Sequence, residues 1–483
     1  MSAQLTRRDF LSVGSAIGAG LLVGKSRSVR ADDRPNVLFL AVDDLNHWVG
    51  YTGRNPQAKT PNMDRLSRRG TSFTHGYCAA PLCNPSRAAL MSGLRPGATG
   101  CYQNPDNWKQ YVPEGIGLAA TFKQAGYYVA GAGKIYHGST YYPGEWDDYF
   151  DERGFGSEDD EQVGERVKGI GKLEGFHTPV THDLKDSDLS DYRIVDYCIQ
   201  QLGKQHDKPF FLACGVHKPH LPWVVPRKYY DMFPEETIQL PPYKEDDLDD
   251  IPPAGIRMAK PEGDHKQILG TGRWKAAIQS YLAAGAYTDM NVGRLLDALE
   301  KSPYAKNTII CFWGDHGWHL GEKHHWRKFT LWEEATRAPF IWVVPGLTKP
   351  NTICARTVDF MCIYPTLCGL AGIPVPKHVD GADLRKLLAD PTAPWDAPAV
   401  TTFGYMNHTV RTDSWRYLRY ANGDEELYDE KGDPYEWTNR SSSADMESQK
   451  AALAKFLPTQ NTPVRAKRVR GARKAAPAKG KRK

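Results

Sequence analysis

The five residues Cys83-Asn84-Pro85-Ser86-Arg87 set a nucleophile beside a planar, multidonor cation. A cysteine at the start of a helix and next to an arginine is placed for a chemical role, and a guanidinium matches the oxygens of a tetrahedral oxyanion. Asp43-Asp44 is an adjacent carboxylate pair. Such a pair repels unless a cation lies between the two groups or water screens them, so it reads either as a metal site or as a solvated loop. Asp315-His316 offers a second acid. Carboxylate oxygens suit Ca²⁺ or Mg²⁺, whereas an imidazole is an unusual calcium ligand, so on residue type alone His316 lines such a site. Lys134 and His137 add a fixed positive charge and a proton acceptor, and His217 and Lys328 are placed to serve a leaving group. Acids for one cation, several basic groups and one nucleophile together suit transfer or hydrolysis of a sulfuryl or phosphoryl group.

These residues need a scaffold that gathers them from distant parts of the chain. Asn36 to Val42 is a nearly continuous apolar run that ends on the acid pair, as a buried parallel strand does when it opens onto a site. Tyr127 to Ala132, Pro209 to Gly215, Thr308 to Trp313 and Pro339 to Val344 read as further strands. Helices are expected over Asn62 to Arg69, from near Ser86 to Gly93, over Leu118 to Ala125, Asp188 to Leu202 and Ala276 to Leu299. Polar groups follow the strand ends, the pattern of an α/β sheet with ligands at its carboxyl edge. The prolines between Pro222 and Pro253 predict a long irregular stretch. Beyond about residue 390, short strand-like pieces at Thr401 to Tyr405, His408 to Arg411, Arg416 to Tyr420 and Glu426 to Tyr428 predict a small antiparallel sheet.

Cys83 to Gly93 closely resembles the C-x-P-S-R-x-x-x-x-x-G signature of formylglycine-dependent sulfatases, with no departure at the fixed positions. Val37 to Asp44, Gly133 to His137, Gly215 to His220 and Gly314 to Glu322 complete the resemblance in family order, from about Arg34 to Asn439. The Asp-His pair, the Lys134/His137 spacing and the His217-Lys218-Pro219-His220 run are most similar to the iduronate-2-sulfatase group. The resemblance implies an alkaline-phosphatase-like α/β fold, with a large mixed, mostly parallel sheet between helices and a smaller C-terminal antiparallel subdomain. It implies that a maturing enzyme oxidises Cys83 to formylglycine, and that Asp43, Asp44, Asp315 and His316 surround a Ca²⁺ that also touches residue 83. Arg87 would hold the hydrated aldehyde, Lys134 the sulfate, and His137 would take a proton so that sulfate is expelled. His217 and Lys328 would assist the departing alcohol. The substrate implied is a saccharide sulfate, specifically a 2-O-sulfated uronic acid. Lys218, His220, His325 and Arg327 are candidates to meet its carboxylate, and Trp223, Trp318 and Trp326 candidates to stack on a sugar. Trp415 to Tyr417, Glu426 to Asp429 and Asp433 to Glu436 are read as structural, and His378 and His408 as surface histidines.

Composition bounds the rest. The chain has 483 residues, 40% hydrophobic and 25% charged, which suits a soluble globular protein of one large domain and a smaller one. Its net charge of +5 comes from a tail, Arg465 to Lys483, with ten Lys or Arg and no acid, so the body is mildly acidic. The tail has no interleaved aromatics and predicts no specific nucleic-acid partner. Nine cysteines without a C-x-x-C spacing predict mostly buried thiols rather than a zinc site, with room for one or two disulfides in an exported protein. Thr6-Arg7-Arg8-Asp9-Phe10-Leu11, an apolar run to Val23 and Ala31 resemble a twin-arginine export signal, too short for a firm membrane span. The expected organisation is an export signal over 1–31, a catalytic domain over 32–390, an antiparallel subdomain over 391–460 and a basic tail over 461–483, in a periplasmic or secreted protein handed to the twin-arginine machinery. Two other functions share the pattern: phosphonate or phosphate ester hydrolysis on the same fold, and non-catalytic binding of sulfated glycans.

Overall fold

The computed structural model describes residues 34–152, 176 and 184–464. The expected export signal, most of the polar segment after Tyr149 and the basic tail beyond residue 464 lie outside them. The strands are β1 (Asn36–Val42), β2 (Thr71–Tyr77), β3 (Tyr128–Gly133), β4 (Asp148–Phe150), β5 (Phe210–Val216), β6 (Thr308–Gly314), β7 (His319–Leu320), β8 (Trp326–Arg327), β9 (Phe340–Val343), β10 (Thr352–Asp359), β11 (Ala399–Thr402), β12 (His408–Arg411), β13 (Trp415–Arg419) and β14 (Glu425–Asp429). Eight of them form one sheet in the order β10-β2-β9-β6-β1-β5-β3-β4. Only β9 runs antiparallel to its neighbours, so the sheet is mixed and mostly parallel.

β1 is buried along its whole length, and its two faces have different partners. Val37, Phe39 and Ala41 join a core with the helices Cys83–Ser92, Leu118–Gln124 and Ile363–Leu370. Leu38, Leu40 and Val42 join a second core with Ser190–Gly203 and Trp274–Lys301. A strand covered on both faces has no polar side to alternate with, hence its continuous apolar sequence. β11 to β14 form a separate four-stranded antiparallel sheet in chain order, as the turn-divided pieces predict.

Three details differ from the sequence reading. The signature helix begins at Cys83 itself, not near Ser86, because Pro85 sits in the first turn, where a missing N–H costs no intrahelical bond. β2 and β10, which pair with each other, were not expected from the sequence. Their polar content (Thr71, Ser72, Thr74 and His75; Thr352, Arg356 and Thr357) masks the apolar run. The proline-rich stretch also holds short helices at Arg227–Tyr230 and Pro253–Ala259, the second with proline at its first position.

Candidate active site

Parallel register brings the chemistry together. Val42 of β1 lies opposite Val216 of β5 and Gly314 of β6, so residues 43, 217 and 315 emerge side by side. Asp43 N–H donates to Val216 O at 3.1 Å, and Asp315 N–H to Val42 O at 3.0 Å. Gly133 of β3 lies opposite Gly215, and Lys134 N–H donates to Gly215 O at 2.9 Å. Gly133 has a φ of 69°, and a Cβ at either glycine would collide with the facing backbone. Lys134 reaches this edge only because neither position carries a side chain.

The helix Cys83–Ser92 supplies the remaining groups. All its residues are buried, and Gly93, with φ 72°, closes it by donating to Ala89 O. Cys83 and Arg87 are four apart and share a face. Ser86 Oγ donates to Asp315 O at 2.6 Å, tying the helix to the end of β6. Arg87 Nε donates to Asp315 Oδ2 at 2.9 Å, and another of its nitrogens lies 3.4 Å from Asp43 Oδ1. Lys134 Nζ pairs with Asp43 Oδ2. Cys83 Sγ lies 2.9 Å from Lys328 Nζ, 3.3 Å from His316 Nε2 and 3.8 Å from Asp44 Oδ1. Lys328 Nζ also donates to Asp44 Oδ1 at 2.6 Å.

Lys328 comes from a backbone under strain. Lys323, His324, Arg327 and Phe329 all have positive φ, between 50° and 83°. Non-glycine residues hold that conformation only where their surroundings compel it, which is common at functional sites. Asp44, at φ 57°, is another such residue, and its N–H donates to Asp315 Oδ1 at 3.0 Å.

His217 is positioned by a carboxylate the sequence reading did not single out. Asp191, buried near the start of the helix Ser190–Gly203, accepts the N–H of His217 at 2.7 Å and of Lys218 at 2.8 Å. The same Oδ1 lies 3.2 Å from His217 Nδ1. The carboxylate thus orients the His217 ring from its Nδ1 side. An acid inside an amphipathic helix looks like one more surface charge, so no sequence signal marked it.

The electrostatics fit a cation. Burial pushes Asp44 up to about 6 and Asp315 up to about 7; the negative charge of Asp43 adds to both, while Lys328 and Arg87 respectively oppose the rise. Burial acts on Asp43 too, but Lys134, His220, Arg87 and Lys328 together hold it well below the carboxylate range. Burial and Asp43 push the Cys83 thiol well up. An unmodified Cys83 is therefore a protonated thiol at neutral pH, not an activated thiolate. Burial and then the charge of Lys134 lower His137 to about 3, so its ring is neutral at working pH.

Asp43, Cys83, Asp315 and His316 present ligand atoms within 4.8 Å of one another, as do Asp43, Asp44, Cys83 and His220. Asp44 Oδ2 is buried and accepts no hydrogen bond. Three carboxylates face three fixed cations, Arg87, Lys134 and Lys328, so with all three acids ionised an entering sulfate ester leaves the buried cluster net negative unless a cation accompanies it. The residues present fit a hard divalent ion.

All ten expected site residues lie on or beside this edge. The outer candidates all have partners within the protein. Lys218 Nζ donates to Pro222 O at 2.6 Å, Arg327 pairs with Asp264, and both ring nitrogens of His325 lie 2.6 Å from backbone carbonyls. His220 turns inward, with Nε2 3.6 Å from Asp44 Oδ2. Trp223, Trp318 and Trp326 are all buried and pack in one core cluster, so they cannot stack on a sugar. His408 is buried as well and bonds Thr402 Oγ1 at 3.0 Å, not a surface residue.

Comparison with known proteins agrees with this geometry. The model of the Sulfatase family matches residues 35–373, and that of the N-sulphoglucosamine sulphohydrolase C-terminal region matches residues 321–462. A sulfatase of Formosa agariphila is 38% identical, over 94% of this chain and 92% of its own. Human iduronate 2-sulfatase is 29% identical, over 80% of this chain and 84% of its own. Among solved structures, a 2-O GAG sulfatase superposes with a TM-score of 0.65 at 23% identity, covering 87% of this chain and 90% of that one. With the family model spanning most of the chain and the signature helix seated at the carboxyl edge of the sheet, the chain belongs to the sulfatase family.

Proposed function

We propose that this protein hydrolyses a sulfate ester of a saccharide, specifically a 2-O-sulfated uronic acid, with a formylglycine made from Cys83 and a bound Ca²⁺. The observation that carries the reading is the convergence of Cys83, Arg87, Lys134 and Lys328 with three buried aspartates on one sheet edge. The similarity to iduronate 2-sulfatase and to a 2-O GAG sulfatase supports the sugar position.

Asp43, Asp44, Asp315 and His316 would hold the Ca²⁺, which would supply positive charge against the negative charge of the sulfate oxygens. A formylglycine at position 83 supplies, when hydrated, one hydroxyl to attack sulfur and another through which sulfate is released. Arg87 fixes residue 83 and its neighbouring charge from one helical turn away. Lys134 and Lys328 supply cationic contacts for the sulfate. The sulfur–oxygen bond to the sugar breaks, and the sugar oxygen takes its proton from His217 or Lys328. His137, neutral at working pH, receives the proton given up as sulfate leaves.

The deciding experiment is a desulfation screen of defined saccharides: a 2-sulfated uronate, a neutral 6-sulfated sugar, an aryl sulfate, choline sulfate and a phosphate ester. Preference for the 2-sulfated uronate by about tenfold in kcat/KM, or about 1.4 kcal/mol in the transition state, is the expected result. Equal use of choline sulfate or the 6-sulfated sugar rejects the uronate, and preference for the phosphate ester rejects the sulfate reading.

We also propose export through the twin-arginine route, after Cys83 has met its maturing enzyme and the chain has folded. The motive is Arg7-Arg8 before a weakly apolar run. Changing both to lysine is expected to retain the protein in the cytoplasm on cell fractionation. An undiminished exported yield points to another route.

A further inference from the structure

The buried tryptophans leave open what meets the sugar ring. The hairpin between β11 and β12 supplies an answer from the C-terminal sheet. Thr401 Oγ1 donates to Cys78 O at 2.5 Å and Thr402 N–H to Ala79 O at 2.9 Å, so β11 is pinned to the segment that leads into Cys83. Phe403 packs on Phe329, ring centroids 6.3 Å apart, and Phe329 directly follows Lys328. Phe329 N–H in turn donates to Pro81 O at 3.2 Å. On the other side, the Tyr405 ring meets Tyr102 edge-on at 6.3 Å. Tyr102 adjoins Gln103 and Asn104, and Asn84 bonds both: its Nδ2 donates to Gln103 O at 2.9 Å and its N–H to Asn104 Oδ1 at 3.0 Å. The hairpin tip therefore touches the chain beside both Cys83 and Lys328, the pair 2.9 Å apart at the reacting centre.

The tip is held in shape yet offers apolar surface to solvent. Phe403 N–H donates to Asn407 O at 2.9 Å, and Asn407 Nδ2 donates to Phe403 O at 2.9 Å and Tyr405 O at 3.1 Å. Met406 is kept at φ 59°, a conformation methionine does not adopt without constraint. Tyr405 is 37% exposed and Met406 41%, and they are the one pair adjacent in sequence among the exposed large apolar side chains of the described residues. No charged residue lies between Thr402 and His408. A rigid, uncharged aromatic surface beside the exposed Gln103 amide matches a pyranose: the ring meets the apolar C–H face and the amide the rim of hydroxyls. It does not match a second sulfate or a carboxylate, which call for a cation.

We propose that the β11–β12 hairpin tip, with Tyr405 as its stacking ring and Gln103 beside it, is a sugar-ring subsite that lets this site select saccharide sulfates over ringless ones. The inference rests on the sulfatase reading above. Tyr405 is a specificity residue here and takes no part in the sulfur chemistry.

The test compares wild type, Tyr405→Ala and Tyr405→Phe on the best saccharide sulfate of the screen, with competitive inhibition by inorganic sulfate as an independent probe of the sulfate pocket. Expected for Tyr405→Ala is a KM at least fivefold higher with kcat within twofold, an unchanged inhibition constant for sulfate and an unchanged melting temperature. Tyr405→Phe should keep KM within twofold of wild type, since the ring and not the phenol carries the contact. A saccharide KM for Tyr405→Ala within twofold of wild type overturns the subsite, as does an equal loss of sulfate binding. If wild type turns over no sulfate ester while binding the unsulfated saccharide in a Tyr405-dependent way, the subsite stands and the sulfatase reading fails. If it does neither, both fail.

Discussion

Cys83→Ala is expected to abolish sulfate release, with kcat lower by on the order of 10⁵-fold, while the protein stays folded. The side chain is buried at the first position of its helix, with its sulfur 2.9 Å from Lys328 Nζ. Loss of one sulfur atom from a polar cluster should cost about 1 kcal/mol of stability, too little to unfold a domain of this size. Cys83→Ser separates two mechanisms. Burial and Asp43 keep the native thiol protonated, so sulfur itself is a poor nucleophile here, and a serine hydroxyl placed at the same point would be no worse an acceptor of a proton bond. If formylglycine does the chemistry, serine fails in any host that cannot oxidise it, because a single hydroxyl has no partner through which to expel sulfate. Protein made with and without a maturing enzyme should differ in activity in proportion to the formylglycine-containing peptide seen by mass spectrometry. Full turnover by a preparation whose position 83 is entirely cysteine would remove the proposed nucleophile.

Much of this site is legible in the sequence because parallel register does the assembling. β1, β5 and β6 are continuous apolar runs, and each ends on a polar residue that register must place beside the others: Asp43, His217 and Asp315. A reader who finds the strand ends has found the site. The helix Cys83–Ser92 was legible for another reason: its signature is dense, with Pro85 and Gly93 marking its ends. What escaped depends on tertiary partners. Asp191 gives no sign of its task until the end of β5 folds over it. Trp223, Trp318 and Trp326 stand beside site motifs in sequence, but those motifs approach the edge from within the core, so the rings pack inward. β10 lies at the sheet edge and β2 between it and β9, and the polar residues in both make them read as loops. Tyr405 sits in a turn, where sequence assigns no direction to a side chain.

Removing the divalent cation should cost both activity and stability, and the stability cost should depend on pH. Asp44 and Asp315 stand at about 6 and 7 in the cation-free cluster, with burial the chief cause, while Asp43 stays ionised. A carboxylate whose folded value is raised binds a proton more tightly in the native state than in the unfolded one. Its contribution favours folding at low pH and is lost as pH rises from about 4 toward 7, because the buried group must then ionise. A bound cation reverses that penalty by stabilising the ionised form. Protons and the cation thus compete for the same oxygens, and cation affinity should fall as pH drops from about 7.5 to 5. Chelated protein is expected to melt below Ca²⁺-loaded protein at pH 7.5, by the equivalent of about 2.7 kcal/mol at a cation concentration one hundred times its dissociation constant. The gap should narrow at pH 5. Asp315→Ala removes one ligand and also leaves Arg87 without its closer carboxylate, 2.9 Å away in the native site. That variant should bind less than a tenth of an equivalent of calcium by metal analysis and lose on the order of 10³-fold in kcat. Asp191→Asn supplies the control, since it lies outside the acid cluster while keeping an oxygen for one of the two backbone N–H groups that Asp191 accepts: its calcium content should match wild type. A melting gap that is absent at pH 7.5, or calcium retained in full by Asp315→Ala, would show that these aspartates serve the fixed cations alone.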